Sequence, residues 1–360
     1  MSGTLFSGVS RRPRLRVLAN GAPVQGVREA EVYINNYFAA NRFNVSIALG
    51  PDPQWTALAW SEANSVTIEI DVGFLQDFAG ENLDPPWVSL IQGKVDTVVI
   101  DPIVSTVRLE GRDFTSLFIE TLVEGSFTNQ TASEIAANLA ARHNLSAAVA
   151  STSTPVGRYY GNEYDQITLN QFASATTEWN LLVWLAEQEG FDVWVQDNTL
   201  FFQPRPENPS PDLVVYAGLG FGTSNVQSLR MERKLGLAGN VTVTMKSWSS
   251  ANQTAYVETA AATGVGGIGT PKSYVYLHPN LTPDQLAAQA QRRLNEIMQH
   301  ERVIEFVMPG ELQLTSRSQV ALVGTNTAFD QIYSVEAIER RLDYWGGFTQ
   351  RVRAKNSTVA

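Results

Sequence analysis

The chain has 360 residues, enough for two or three domains with sizeable cores. Hydrophobic residues make up 44% and charged residues 17%, which excludes a disordered or fibrous chain. The net charge of −10 excludes a DNA-wrapping surface, which needs a basic field, and the absence of Cys excludes disulfides, thiolate metal sites and a cysteine nucleophile. An acidic lumen that passes DNA is still compatible with that charge. The opening MSGTLFSGVSRRPRLRVL lacks the apolar run of a signal peptide, and no later stretch approaches the ~18 apolar residues of a membrane span. A chain made and folded in a cytosol is expected, and sequons such as Asn129-Gln-Thr131 are read as accidents of a polar surface.

The N-terminal third is predicted as closely spaced strands. Arg14-Leu-Arg-Val-Leu18 alternates and Asn20-Gly21 is a type I′ turn signal, so residues 14–24 read as a hairpin. Strands follow at Glu31–Phe38, Phe43–Leu49, Val66–Val72, Val88–Val99 and Ser105–Glu110. In Val66–Val72 the residues Val66, Ile68, Ile70 and Val72 share one face, and Thr67, Glu69 and Asp71 the other, as in a sheet with one buried and one wet face. Such strands suggest a small barrel or sandwich.

A helical insertion comes next. Thr131-Ala-Ser-Glu134 fits a capping box, Ile135, Ala136, Leu139 and Ala140 line one face, Arg142 and His143 suit the negative end of the dipole, and Asn144 suits a left-handed cap. A Ser/Thr/Pro-rich loop spans Ser151–Pro155. A second helix is predicted over Thr177–Glu189, ending at Gly190, then a hairpin of Phe191–Val195 and Thr199–Gln203 turning at Asp197-Asn198. Pro204–Pro211, with four prolines, reads as a stiff linker.

Beyond it, strands are predicted at Val226–Arg233 and Asn240–Trp248, with a Gly/Ala-rich loop over Ala260–Thr270. Thr282-Pro283-Asp284-Gln285 starts a third helix with the apolar stripe Leu286, Ala290, Leu294 and Ile297. Strands resume at Arg302–Val307, Glu311–Leu314, Gln319–Val323, Gln331–Arg341 and Gly347–Ala354. An internal repeat is a candidate: Gln92–Val98 leads to Ser105–Glu110 much as Tyr333–Ile338 leads to Phe348–Val352. Since any two hairpins look alike by letters, chance is the competing explanation.

Little in the chain suggests reactive chemistry. Gly264-Val-Gly-Gly-Ile-Gly269 matches the dinucleotide fingerprint, but Thr270-Pro271 and the β-prone Ser273–Tyr276 follow where a helix is needed, so it reads as a loop. His143, His278 and His300 lie in no metal-ligand spacing and read as structural. Asp113 and Asp330 are the best candidates for a catalytic carboxylate pair, and both read better as turn or cap residues. Trp179, Trp184 and Trp194 would either stack on sugar rings or, as the simpler reading has it, pack a small core.

One ordered set of segments carries more. It comprises Glu110-Gly-Arg-Asp113, Phe127–Thr131 leading into Ser133–Ala140, Trp184–Asp192, Leu200–Pro204, Val241–Trp248, Met308-Pro-Gly310 and Gly324–Val335. In this order the set resembles the baseplate hub proteins of contractile and related phage tails, the late-control D family, which also resembles the N-terminal part of type VI secretion spike proteins.

The resemblance implies a mainly β protein with an α+β insertion: two tail-tube-like antiparallel β-barrels plus a small α/β domain. Residues 1–112 would form the first barrel, 113–211 the α/β insertion and Pro-rich linker, and 212–360 the second barrel with one long helix. It further implies a homotrimer whose pseudo-sixfold ring adapts a hexameric tail tube protein to a trimeric central spike protein. The insertion would face other baseplate proteins, and DNA would pass the lumen without sequence-specific binding.

No enzyme activity, cofactor, metal or membrane is expected, and the location would be the virion tail, assembled in the host cytoplasm. An oligosaccharide-binding fold and needle like those of fused spikes, and a lysozyme-like or peptidase extension, are not expected, so the resemblance implies a separate spike chain. The first 87 residues carry little of the family's wording. A tail-tip cell-wall hydrolase and a carbohydrate-binding module are the alternatives. The expected interface element is the turn Gly324-Thr325-Asn326-Thr-Ala-Phe-Asp330, whose Gly and Asn separate two predicted strands.

Overall fold

The computed structural model describes residues 12–36, 38–50, 52–75, 84–124, 127, 130–153, 155–156, 177–204, 210–218, 224–238, 241–249, 253–262, 272–278 and 281–357. The fold is mainly β, as predicted. A 13-stranded sheet runs in the order Ser228–Arg233, Arg302–Pro309, Gly347–Asn356, Ile332–Asp343, Val27–Asn35, Arg42–Ala48, Thr106–Asp113, Val88–Asp101, Thr67–Leu75, Arg12–Ala19 and Ala22–Pro23. Gln319–Val323 pairs with Ile332–Asp343 off this path, and Leu213–Tyr216 joins Gln319–Val323 in parallel.

The N- and C-terminal thirds are thus halves of one sheet. Val27–Asn35 hydrogen-bonds antiparallel to Ile332–Asp343, with Ala337 opposite Asn35 and Asp343 opposite Glu29. Alternation drives each strand: Ala30 and Val32 are buried, whereas Glu29, Glu31 and Tyr33 are only partly covered. One core, built on Val32, Val45, Ile68, Ile70 and Leu109, fills the N-terminal half. A second, built on Ile304, Phe306, Leu322, Tyr333 and Ile338, fills the C-terminal half.

Several predicted elements are corrected. The 14–24 hairpin keeps its left-handed Asn20-Gly21 turn, but only Leu18 and Ala19 pair across it. The longer partner of Arg12–Ala19 is Thr67–Leu75. Asp71 keeps the face opposite Ile70 and Val72 but is buried there rather than wet, and its carboxylate pairs at 2.7 Å with Arg16, which lies directly opposite it in the register. Glu311–Leu314 is not a strand: the Glu311 and Leu314 carbonyls accept from the Arg340 guanidinium instead of a ladder.

The insertion packs the helices Thr115–Glu120, Ala132–Arg142 and Glu178–Glu189 against a small sheet of Ser146–Val149, Thr199–Pro204 and Phe191–Gln196. Its predicted caps are present: the Thr131–Glu134 box, left-handed Asn144, and left-handed Gly190 after Glu189. The linker is described only at its two ends.

A fourth core belongs to a unit that strand spacing did not anticipate. Val241–Ser249 is flanked by Thr254–Ala261, antiparallel, and Lys272–Leu277, parallel. The helix Pro283–Met298 covers one face with Leu286, Ala290, Leu294 and Met298, Ile297 being only partly buried. Ala260 and Ala261, predicted as loop, end the flanking strand Thr254–Ala261, while the Gly264–Gly269 motif lies outside the described residues.

Gly111 sits where the sheet is tightest. An added Cβ would lie 2.2 Å from the Lys94 carbonyl oxygen and 2.4 Å from the Phe43 ring. Because the first obstacle is backbone, Gly111→Ala should lower stability by about 3 kcal/mol, seen as a reduced urea midpoint. A midpoint unchanged from the parent would show that the two strands separate more readily than this packing implies.

Candidate assembly sites

The predicted turn connects Gln319–Val323 to Ile332–Asp343. Gly324 has φ +90° and Asn326 φ +53°, conformations that suit these two residues. Asp330 closes the turn: its carboxylate accepts from the backbone N–H of Thr325 and Asn326, each at 3.0 Å, and from Thr325 Oγ1 at 2.6 Å. These bonds hold its pKa below the usual carboxylate value, although burial opposes them. Thr325 is buried, whereas Gly324, Asn326, Thr327 and Ala328 are exposed, so the loop offers a braced polar surface. Asp330 is a turn residue, as expected.

Asp113 lies far from it in the sheet, so the two carboxylates do not form a pair. Asp113 ends Thr106–Asp113, where the chain enters the insertion. It accepts from Asn41 Nδ2 at 2.7 Å and from the Thr115 N–H at 3.1 Å. It lines a cavity of about 390 Å³ between sheet and insertion, with Asn35, Trp179, Trp194, Arg317 and Arg340 also on its walls. Burial pushes its pKa up from 3.8 to about 7, against the pull of those hydrogen bonds.

Trp179 and Trp194 brace the same junction, while Trp184 packs against the insertion's own core. Trp179 is buried and donates to the Phe38 carbonyl at 2.6 Å. Trp194 stacks on Phe201 on one side, and the Arg317 guanidinium lies 3.8 Å from its ring centroid. This is the packing role, not an open sugar platform. Arg142 and His143 do more than suit a dipole, since both contact the fully buried Glu178, His143 Nε2 at 2.6 Å. His300 faces the buried Glu336 at 3.6 Å, and His278 stands by Arg293 at a groove between two helices.

The repeat candidate has a structural counterpart. In sheet order, Arg302–Pro309, Gly347–Asn356, Ile332–Asp343 and Val27–Asn35 are followed by Arg42–Ala48, Thr106–Asp113, Val88–Asp101 and Thr67–Leu75. Each set is a strand, a long hairpin written second arm first, and a closing strand. In its pairing with the second arm, each hairpin's first arm carries one register slip, at Asp96 between Val95 and Thr97 and at Glu336 between Val335 and Ala337. Each slipped residue is an acid bound by an arginine of the second arm: Arg112 to Asp96 at 2.6 Å and Arg353 to Glu336 at 2.7 Å.

The face of the sheet away from the cores is charged and internally paired. Arg341 reaches Glu29 at 2.7 Å and Asp343 at 2.9 Å, Arg108 lies 3.4 Å from Glu110, and Arg351 lies 3.7 Å from Glu305. It is balanced in sign rather than acidic.

Both hairpin tips carry exposed apolar side chains that sequence reasoning missed: Ile103 (92%) and Val104 (60%) on one, Tyr344 (85%) and Trp345 (91%) on the other. The signal available was an Asp opening each turn with large apolar residues within the next three positions.

The raised pKa of Asp113 sets a pH dependence. Folded Asp113 keeps its proton where the unfolded chain has lost it. This contribution to stability is therefore complete below about pH 4 and is lost as pH rises through about 7. Asp113→Asn should flatten that fall, which is on the order of 2–4 kcal/mol, in thermal melts between pH 4 and pH 8. An equally steep fall in the variant would move the titrating group elsewhere.

No protein-family model matches the chain, and no curated protein matches it by sequence. Solved structures do. A tail protein from Neisseria meningitidis MC58 superposes with a TM-score of 0.72 at 15% identity, covering 96% of this chain and 97% of that one. A 43 kDa tail protein of prophage MuSo2 from Shewanella oneidensis gives 0.68 at 17% identity, covering 96% and 98%. An Escherichia coli protein described as a component of the type VI secretion system gives 0.54 at 10% identity, covering 95% and 77%. The fold of this chain, over nearly its whole length, is that of phage tail proteins and of their relative in the type VI secretion system.

Proposed function

We propose that the protein is a structural subunit of a phage-type tail, the baseplate hub, in which three copies close into a ring between a sixfold tail tube and a threefold central spike. The observation that carries this reading is the four-strand unit repeated along one sheet. A chain holding two equivalent units gives six of them in a ring of three. A threefold assembly can thereby meet sixfold neighbours on one side and threefold neighbours on the other. In this arrangement the charged, core-distal face of the sheet lines the lumen. Its arginines are already neutralised by Asp96, Glu29, Asp343 and Glu305, so passing DNA finds few free cations to displace its counterions. The insertion lies outside the wall, towards other baseplate proteins. Residues 1–112, 113–211 and 212–360 are the barrel, insertion and second barrel of this reading.

Light scattering tests the ring. The expected mass is three times the 39.5 kDa of one chain, with ring-shaped particles in negative stain. A monomer that stays monomeric with spike and tube proteins present would refute it.

The Gly324–Asp330 turn is the proposed contact on the ring's edge. Ala328→Glu, at an exposed position whose side chain takes no part in the turn's hydrogen bonds, should reduce tail assembly at least tenfold while circular dichroism and melting stay those of the parent. Tails formed in normal yield would remove the turn from the interface.

A further inference from the structure

The tips of the two repeated hairpins share a design. In the first, Asp101 Oδ1 accepts from the backbone N–H of Ile103 at 2.9 Å and of Val104 at 3.1 Å. In the second, Asp343 Oδ1 accepts from the N–H of Trp345 at 2.7 Å and of Gly346. In both, the carboxylate of the first turn residue binds the amides two and three positions on, an Asx turn that holds the loop rigid. In both, a left-handed residue closes the loop, Ser105 at φ +51° and Gly347 at φ +69°. Tyr344 and Trp345 also pack edge to face on each other, with centroids 5.2 Å apart. The aromatic pair is therefore presented on a braced turn.

The register places both tips at one end of the sheet. Asp343 lies opposite Glu29, Glu29 opposite Ser46, Ser46 opposite Arg108, and Arg108 opposite Val99. Just beyond that row, one hairpin turns at Tyr344-Trp345 and the other at Ile103-Val104. The two hairpins are four strand spacings apart, about 19 Å along the sheet at ~4.8 Å per strand. At the opposite end the equivalence breaks down: the N-terminal half runs on at Asp113 into the insertion, whereas the C-terminal half carries the Gly324–Asp330 turn.

Large apolar side chains exposed this far on rigid turns are costly in water and are typical anchors of a protein interface. Two anchors of one design, one in each repeat, call for two sockets of one kind. We propose that the Ile103-Val104 and Tyr344-Trp345 tips are equivalent plugs, seated in apolar sockets on two copies of a single partner chain. This end of the molecule would then bind a protein of twice its own copy number. In the hub reading, on which only the identity of that partner rests, the partner is the sixfold tail tube, and the spike meets the opposite end.

The test places a benzophenone photo-cross-linker at position 103 in one variant and at position 345 in another, in assembled tails, with adducts read by mass spectrometry. Both positions should cross-link to the same segment of the same chain, present at two copies for each copy of this protein. Trp345→Ser with Tyr344→Ser should weaken attachment of that partner more than tenfold while the protein's own mass stays that of the parent. Adducts to two different chains, to another copy of this protein, or to a chain of equal copy number would overturn the proposal. So would undiminished attachment of the serine variant. Cosedimentation of the parent, but not the serine variant, with phosphatidylglycerol vesicles would assign the tips to a membrane and overturn it equally. The light-scattering mass tests the ring separately, so either result can fail without the other.

Discussion

The antiparallel pairing of Val27–Asn35 with Ile332–Asp343 joins residues roughly 300 positions apart, and the remaining architecture hangs on it. Loop-closure entropy grows only logarithmically with that separation, and seven aligned residue pairs, at about 1 kcal/mol net per hydrogen bond, offset it. Without this seam there would be two sheets, each with an open edge. With it, the edges at the centre of the sheet are satisfied, and both cores lie on one continuous scaffold.

A continuous sheet also divides the molecule's chemistry by face. Core residues such as Val32, Val45, Leu109 and Ile338 alternate with charged ones such as Glu31, Glu110 and Arg341. On the charged face, neighbouring strands bring opposite signs together, so Arg341 meets Glu29 and Arg108 meets Glu110. Exposed pairs of this kind add little stability each, and their effect is to cancel a field rather than to hold the fold. The insertion is anchored to both halves: Trp179 donates to Phe38, Ser89 to Asp197, and Arg317 covers Trp194.

The likeness of the two hairpins is one of geometry more than of letters. Asp96 with Arg112 and Glu336 with Arg353 differ in spacing from their tips, yet each binds a slipped acid across its hairpin. Asp101 and Asp343 brace turns of different length by the same pair of amide bonds. Such devices survive where letter identity does not, because a slip or an Asx turn constrains one side chain and leaves its neighbours unconstrained.

Local rules made much of this legible in the sequence. The Thr131 and Thr282 caps, left-handed Asn144 and Gly190, the Asn20-Gly21 turn and the alternating strands all depend on residues within a few positions of one another. Asp330 was legible as a turn residue for the same reason. The resemblance to tail hub proteins, carried by an ordered set of such segments, agrees with the fold found.

Tertiary structure decided what depends on distant partners. It set the order of strands along the sheet, the loss of Glu311–Leu314 as a strand to the Arg340 guanidinium, and the burial of Asp71 against Arg16. It also placed Asp113 in a cavity that raises its pKa, and aligned the Ile103-Val104 and Tyr344-Trp345 tips at one end. The periodicity of a strand states which face is apolar, but not which strand will lie beside it. That choice belongs to the packing of the whole chain.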